Sequence, residues 1–135
     1  MRVCFRSSVQ PELMAEYKQR HAAVWPEMLS ALKNAGWNNY SLFLASDGQL
    51  IGYLECENYE AAKARMAVTE VNARWQAEMA TLFADSDVPP DQAFEIVEEV
   101  FNLEDQLDAA GIVADAPGTA RIDTDPTREY LKEQA

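Results

Sequence analysis

One histidine, two cysteines, five glycines and eleven basic side chains are the scarcities of this 135-residue chain, and each removes a class of chemistry. His21, Cys4 and Cys56 lie far apart in sequence and cannot assemble the usual zinc set, so no such metal site is expected; a carboxylate-only magnesium site stays open, with nothing pointing to it. The glycines form no GxGxxG, GxxxxGK[ST] or GxSxG pattern. Neither a phosphate-cradling loop nor a nucleophile elbow has a place, and no nucleotide cofactor is expected. Eleven Lys and Arg against 23 Asp and Glu leave a net charge of -12. A nucleic-acid groove draws most of its binding free energy from clustered cations, so nucleic acid is not an expected partner. No run approaches the roughly 18 apolar residues of a membrane span, and MRVCFRSSVQP lacks the apolar centre of a secretory signal. A cytoplasmic protein without membrane contact is expected. Cys4 and Cys56 sit in apolar, strand-like runs and read as reduced, buried thiols.

What the chain does have is apolar content enough for one core, with 48% of residues in the hydrophobic class. Its acidity is concentrated at one end: residues 85 to 135 carry fourteen acids and three bases, and Asp85 to Asp108 holds nine acids with no Lys or Arg. Such a run reads as a solvated surface or a loosely held tail rather than a site.

Residues 1 to 6 alternate, Val3 and Phe5 against Arg2, Cys4 and Arg6, as a strand with unlike faces does. Pro11 suits a first helical turn, and Leu13, Tyr17, His21 and Val24 recur on one helical stripe. Pro26 interrupts that helix and biases Trp25 away from helical angles, so Pro26 to Ala35 reads as a second helix or a kinked continuation, stopped by Gly36. Two alternating runs, Tyr40 to Ala45 and Leu50 to Cys56, flank Ser46-Asp47-Gly48 and predict a hairpin. Asn58 and Thr69 are candidate caps for two further helices, the second carrying Val71, Trp75, Met79 and Leu82 on one face. Residues 84 to 93 read as a loop and Phe94 to Leu103 as the last strand. The order βαββαβ implies an α+β, ferredoxin-like plan, a four-stranded antiparallel sheet with its helices on one side. Its bare face would be covered most simply by a second copy. Residues 1 to 103 are thus expected to form the domain, and 104 to 135 an acidic extension with a short helix from Asp125-Pro126.

His21 is the side chain whose ordinary pKa of about 6.5 suits proton exchange near neutrality. It lies one turn after Tyr17, so both rings project from the same face. A hydrogen-bonded histidine at a helix edge is the alternative. Three Trp and several Tyr residues suffice either for core packing or for a small pocket whose aromatic walls would suit a sugar ring.

The stretch Glu16-Tyr17-Lys18-Gln19-Arg20-His21-Ala22-Ala23-Val24-Trp25-Pro26-Glu27 resembles the E-Y-x-x-R-H-x-x-[IV]-W-P-E segment of the L-rhamnose mutarotase family. Gly36 to Leu44 with Asn39-Tyr40, Arg74-Trp75 and Glu99-Val100-Phe101 are similar to that family's G-x-x-N-Y, R-W-W and E-V-F motifs, in the same order. The resemblance implies a cofactor-independent isomerase that interconverts the α and β anomers of L-rhamnose, built as a homodimeric α+β barrel with one pocket per subunit. By it His21 matches the proton donor, and Tyr17, Tyr40 and Trp75 match sugar-binding positions. The family's second Trp of R-W-W is Gln76 here, an amide that could bond a sugar hydroxyl and shift sugar preference. Ala22 follows the histidine where the family often has a polar residue. Rival expectations are a cofactor-free monooxygenase of the same barrel group and a non-catalytic small-ligand-binding module. Haem ligation through His21 is discouraged by Pro26 and Tyr17 close by.

Overall fold

The computed structural model describes residues 1 to 83 and 89 to 113, in the order β1 (Arg2–Ser8), α1 (Met14–His21), α2 (Pro26–Asn34), β2 (Asn38–Leu44), β3 (Gln49–Glu55), α3 (Tyr59–Ala67), α4 (Glu70–Ala80), β4 (Glu95–Val97) and α5 (Leu103–Ala110). Short 3-10 turns at Pro11–Leu13 and Pro90–Gln92 precede α1 and β4. The sheet runs β2-β3-β1-β4 with every pairing antiparallel, which is the ferredoxin-like order.

The registers pair Val3 with Leu54 and Phe5 with Gly52, and directly opposed residues share a face. That face is buried: Val3, Phe5, Leu50 and Leu54 join Tyr17, Met28, Trp37, Met66, Trp75 and Met79 in one core. Arg2, Cys4 and Arg6 fall on the opposite face with Ile51, Tyr53 and Glu55. There Phe43 is 60% exposed, and the ion pairs Arg2–Glu99 and Arg6–Glu95 flank the β1–β4 edge. Gly52 is required by its neighbour, because a Cβ there would lie 2.1 Å from Phe5 Cζ. The Phe5 ring therefore lies across the glycine and stacks on Phe94 at 4.0 Å between centroids.

Local chemistry explains the boundaries. Trp25 is extended (φ -52, ψ 131), as a residue before proline prefers, and Pro26 opens α2 where no N–H is needed. Gly48 (φ +94) makes the hairpin turn, and the Asp47 carboxylate accepts from Gln49 N–H at 3.0 Å. Asn58 accepts from Ala61 N–H and Thr69 from Asn72 N–H, capping α3 and α4.

The last strand differs from the sequence expectation. Pairing with β1 covers only Glu95 to Val97, opposite Arg6 to Cys4. β4 is an edge strand held from one side, and Glu95 within it and Glu99 just beyond it meet β1 through the Arg6 and Arg2 side chains rather than through a longer ladder. Cys56 is buried and Cys4 only half-buried; both are free thiols. The first compact unit is Met1–Glu99, and a second begins at Val100 and contains α5. Asn102 caps α5 by accepting from Asp105 N–H, and Gly111 (φ +71) ends it. The helix expected from Asp125 onward lies outside the described residues.

Candidate active site

A cavity of about 320 Å³ opens between the sheet and the helices, near the lower end of the ~300–1,000 Å³ range of small-ligand pockets. Tyr17, His21, Tyr40, Trp75 and Gln76, the five side chains singled out above, all line it. They arrive from three elements. Tyr17 and His21 are one turn apart on α1, Tyr40 is on β2, and Trp75 and Gln76 are consecutive on α4. Met28, Leu32 and Phe94 contribute apolar wall.

His21 is half-buried and fixed on three sides. Its Nδ1 lies 2.9 Å from the Tyr17 carbonyl oxygen. A carbonyl only accepts, so Nδ1 carries the hydrogen and the neutral ring leaves a lone pair on Nε2. The imidazole stacks on Tyr17 at 4.1 Å and 27°, and meets Trp75 edge-on at 5.3 Å and 82°. Burial disfavours the charged ring and lowers its pKa from the ordinary 6.5, opposed by the hydrogen bond to Tyr17. At neutral pH the ring is therefore a base.

Burial pushes both the Tyr17 and Tyr40 phenols far above their ordinary value near 10, with Tyr17, Tyr59 and Asp91 adding to the effect at Tyr40. Both remain neutral hydroxyls, able to donate and accept. Trp75 is 6% exposed and lies edge-to-face with Trp25 at 5.1 Å. Arg74 lies over Trp25 with its guanidinium carbon 5.6 Å from the ring centre, and its Nη2 is 2.8 Å from Glu27 Oε2. A relay of contacts from Glu27 through Arg74 and Trp25 thus sets Trp75 against the imidazole.

Sequence reasoning missed two polar residues of this cavity. Asn72, 5% exposed, and Asp91 line it beside Gln76. The three form a closed ring of hydrogen bonds: Asp91 N–H donates to Gln76 Oε1 (3.3 Å), Gln76 Nε2 to Asn72 Oδ1 (3.1 Å), and Asn72 Nδ2 to Asp91 Oδ2 (3.2 Å). The four-residue spacing of Asn72 and Gln76 was the available signal, because amides one turn apart on a helix bond each other. Asp91 had no such signal, since its place depends on the turn before β4. Among the described residues, no group of three or more His, Cys, Asp or Glu side chains is placed to hold a metal ion.

Comparison with known proteins selects one family. A family model described as L-rhamnose mutarotase matches residues 2–103. The L-rhamnose mutarotase of Bacillus subtilis (strain 168) is 46% identical over 84 residues, covering 61% of this chain and 80% of the relative. That of Oceanobacillus iheyensis is 38% identical over 105 residues, covering 74% of this chain and 95% of the relative. The crystal structure of an L-rhamnose mutarotase from Formosa agariphila superposes with a TM-score of 0.63 at 26% identity, over 76% of this chain and 98% of that one.

Proposed function

The chain belongs to the L-rhamnose mutarotase family, and on that premise we propose that it interconverts the α and β anomers of L-rhamnose in the cavity described above, with His21 as its acid–base group. The observation that carries this reading is the state of His21: Nδ1–H is held by the Tyr17 carbonyl, the ring is neutral near pH 7, and it lines a cavity with aromatic walls.

Exchange of anomers moves one proton from the anomeric oxygen to the ring oxygen. Nε2 takes the proton of the anomeric hydroxyl. The bond from C1 to the ring oxygen breaks with its electron pair going to that oxygen, and C1 becomes an aldehyde. The imidazolium then gives its proton to the ring oxygen, which makes His21 the proton donor of ring opening. Rotation about C1–C2 and the reverse sequence close the ring on the other face. Both oxygens are bonded to C1, so one nitrogen serves both transfers. The same desolvation that keeps the resting ring neutral makes its charged form a ready donor.

Tyr17 and Tyr40 supply neutral hydroxyls to the sugar, and Trp75 supplies the apolar surface for the ring face and the 6-methyl group. Gln76 has one amide N–H left over for a hydroxyl once its bond to Asn72 is made. Residues 1 to 103 constitute the catalytic domain, and 104 to 135 an acidic extension. A second copy of the chain covers the bare sheet face, where Phe43 and Val97 are exposed, giving a homodimer. Among the described residues no helix is long and apolar enough to cross a membrane, and a cytoplasmic location suits the role. The monooxygenase and binding-module readings are not favoured, since the matching relatives carry the mutarotase name.

Saturation transfer between the two anomeric protons of equilibrated L-rhamnose tests the assignment. Wild type accelerates exchange over buffer, and His21→Ala loses roughly 10²- to 10⁴-fold, the usual contribution of acid–base catalysis. Equal exchange by both proteins would remove His21 from the reaction.

A further inference from the structure

We propose that Asp91 is a sugar-binding residue of this pocket, its second carboxylate oxygen accepting a substrate hydroxyl while Asn72 holds the first and Gln76 holds the Asp91 main chain. The proposal deepens the mutarotase reading and rests on it.

The ring of hydrogen bonds has only one possible sense. The Asp91 N–H can only donate and its carboxylate can only accept, so both amides are oriented without ambiguity: Gln76 turns its oxygen to Asp91 N–H, and Asn72 turns its nitrogen to Asp91 Oδ2. Asn72 is buried at 5% exposure and its orientation is set from both ends. Asn72 thus holds one carboxylate oxygen while Gln76 holds both Asn72 and the Asp91 main chain, which is the arrangement of a supported binding group.

A tie between α4 and the Pro90–Gln92 turn needs an acceptor but not a charge. Among the described residues no Lys or Arg pairs with Asp91, and Asn72 satisfies only Oδ2. Asp91 lines a cavity walled by Met28, Leu32 and Phe94, which leaves Oδ1 as the oxygen for a ligand. An acceptor-only group there calls for a donor from the ligand, and a sugar offers hydroxyls. The carboxylate also acts electrostatically on the Tyr40 phenol, one of the groups assigned to the same ligand. A site built in this way discriminates against an analogue lacking the matching hydroxyl far more strongly than an apolar wall can. The polar side of the pocket therefore reads a hydroxyl, opposite in chemistry to the Trp75 side.

The test uses the full chain and direct binding, so that it can be read with or without turnover. L-rhamnose and its 2-, 3- and 4-deoxy analogues are titrated calorimetrically into wild type and Asp91→Asn. The substitution keeps the shape and the acceptor for Asn72 but turns the sugar-facing atom into a donor. The variant should bind L-rhamnose roughly tenfold or more weakly, as loss of a charge-assisted hydrogen bond does. For one deoxy analogue, the one lacking the hydroxyl that Asp91 holds, wild type and variant should agree within about twofold by the same reasoning. Asp91→Ser should repeat the pattern, which guards against a folding defect in either variant. Weakening spread equally over all four sugars, or no weakening, overturns the proposal. Anomer exchange run in parallel separates the two readings. A wild type that binds with the Asp91 pattern but does not accelerate exchange upholds this site and refutes the mutarotase assignment; one that binds none of the sugars refutes both.

Discussion

The lowered pKa of His21 predicts the sign of the pH dependence. The ring is desolvated by its contacts with Tyr17 and Trp75, and the bond to the Tyr17 carbonyl only partly offsets this, so the free enzyme protonates below 6.5. At pH 7.5, one unit above the ordinary histidine value, the neutral fraction already exceeds about nine-tenths. If neutral Nε2 takes the first proton, kcat/KM is flat to within about 10% from pH 7.5 to 8.5 and falls toward tenfold per pH unit once the pH is below the His21 pKa. Saturation-transfer rates on L-rhamnose between pH 4.5 and 8.5 supply the profile. Because His21 is the single histidine of the chain, its Hε1 resonance supplies an independent pKa without assignment work. The two midpoints should coincide below 6.5. A rate that instead declines as pH rises through the His21 pKa would mean that the resting imidazolium is the active form, and would refute a first proton transfer to neutral Nε2. Stability follows the same sign. A depressed folded-state pKa means that the unfolded chain binds more protons below 6.5, so the His21 contribution is complete above 6.5 and is lost as pH falls through the folded value.

Two further substitutions test the scaffold. Gly52→Ala would place a Cβ 2.1 Å from Phe5 Cζ, and Phe5 is wholly buried against Phe94 of the cavity wall; overpacking of this kind should destabilise by roughly 3 kcal/mol, seen as a lower urea midpoint, with sugar binding weakened as well. Asn58→Ala removes the cap on Ala61 N–H at 2.9 Å and should cost about 1 kcal/mol in the same unfolding assay while leaving anomer exchange unchanged, because α3 reaches the cavity only through Met66.

Elements whose pattern is local were legible in the sequence. The alternation at Val3 and Phe5, the turn at Asp47-Gly48, the break at Pro26 and the caps Asn58 and Thr69 are all found where short-range chemistry puts them. β4 was not: its apolar run extends to Leu103, but the ladder ends at Val97 opposite Cys4 although β1 continues to Arg2, and where an edge strand leaves its partner is not written in its own pattern. α5 escapes a reading by charge alone, although Asn102 precedes it as a cap and Gly111 follows it. The acids crowding its first turn read as mere tail charge, yet acids at a helix N-terminus are favourable. The candidate site divides in the same way. His21 and Tyr17 share a helical face by spacing alone, and the family resemblance added Tyr40, Trp75 and Gln76, all of which line one cavity. Asn72 had an unused signal in its spacing from Gln76, whereas Asp91 became visible only when the fold brought α4 beside the turn before β4.

The proposed chemistry turns on a single imidazole that is hydrogen-bonded through Nδ1 and would present a bare Nε2 to the sugar. A long-range nitrogen–proton correlation spectrum of ¹⁵N-labelled protein at pH 7.5, recorded with and without saturating L-rhamnose, reads both ring nitrogens of the one histidine directly. The expected result is a protonated Nδ1 and a lone-pair Nε2 in the free protein, with Nε2 shifting when the sugar is added. A proton on Nε2 in the free protein, or an Nε2 signal indifferent to bound sugar, would contradict it.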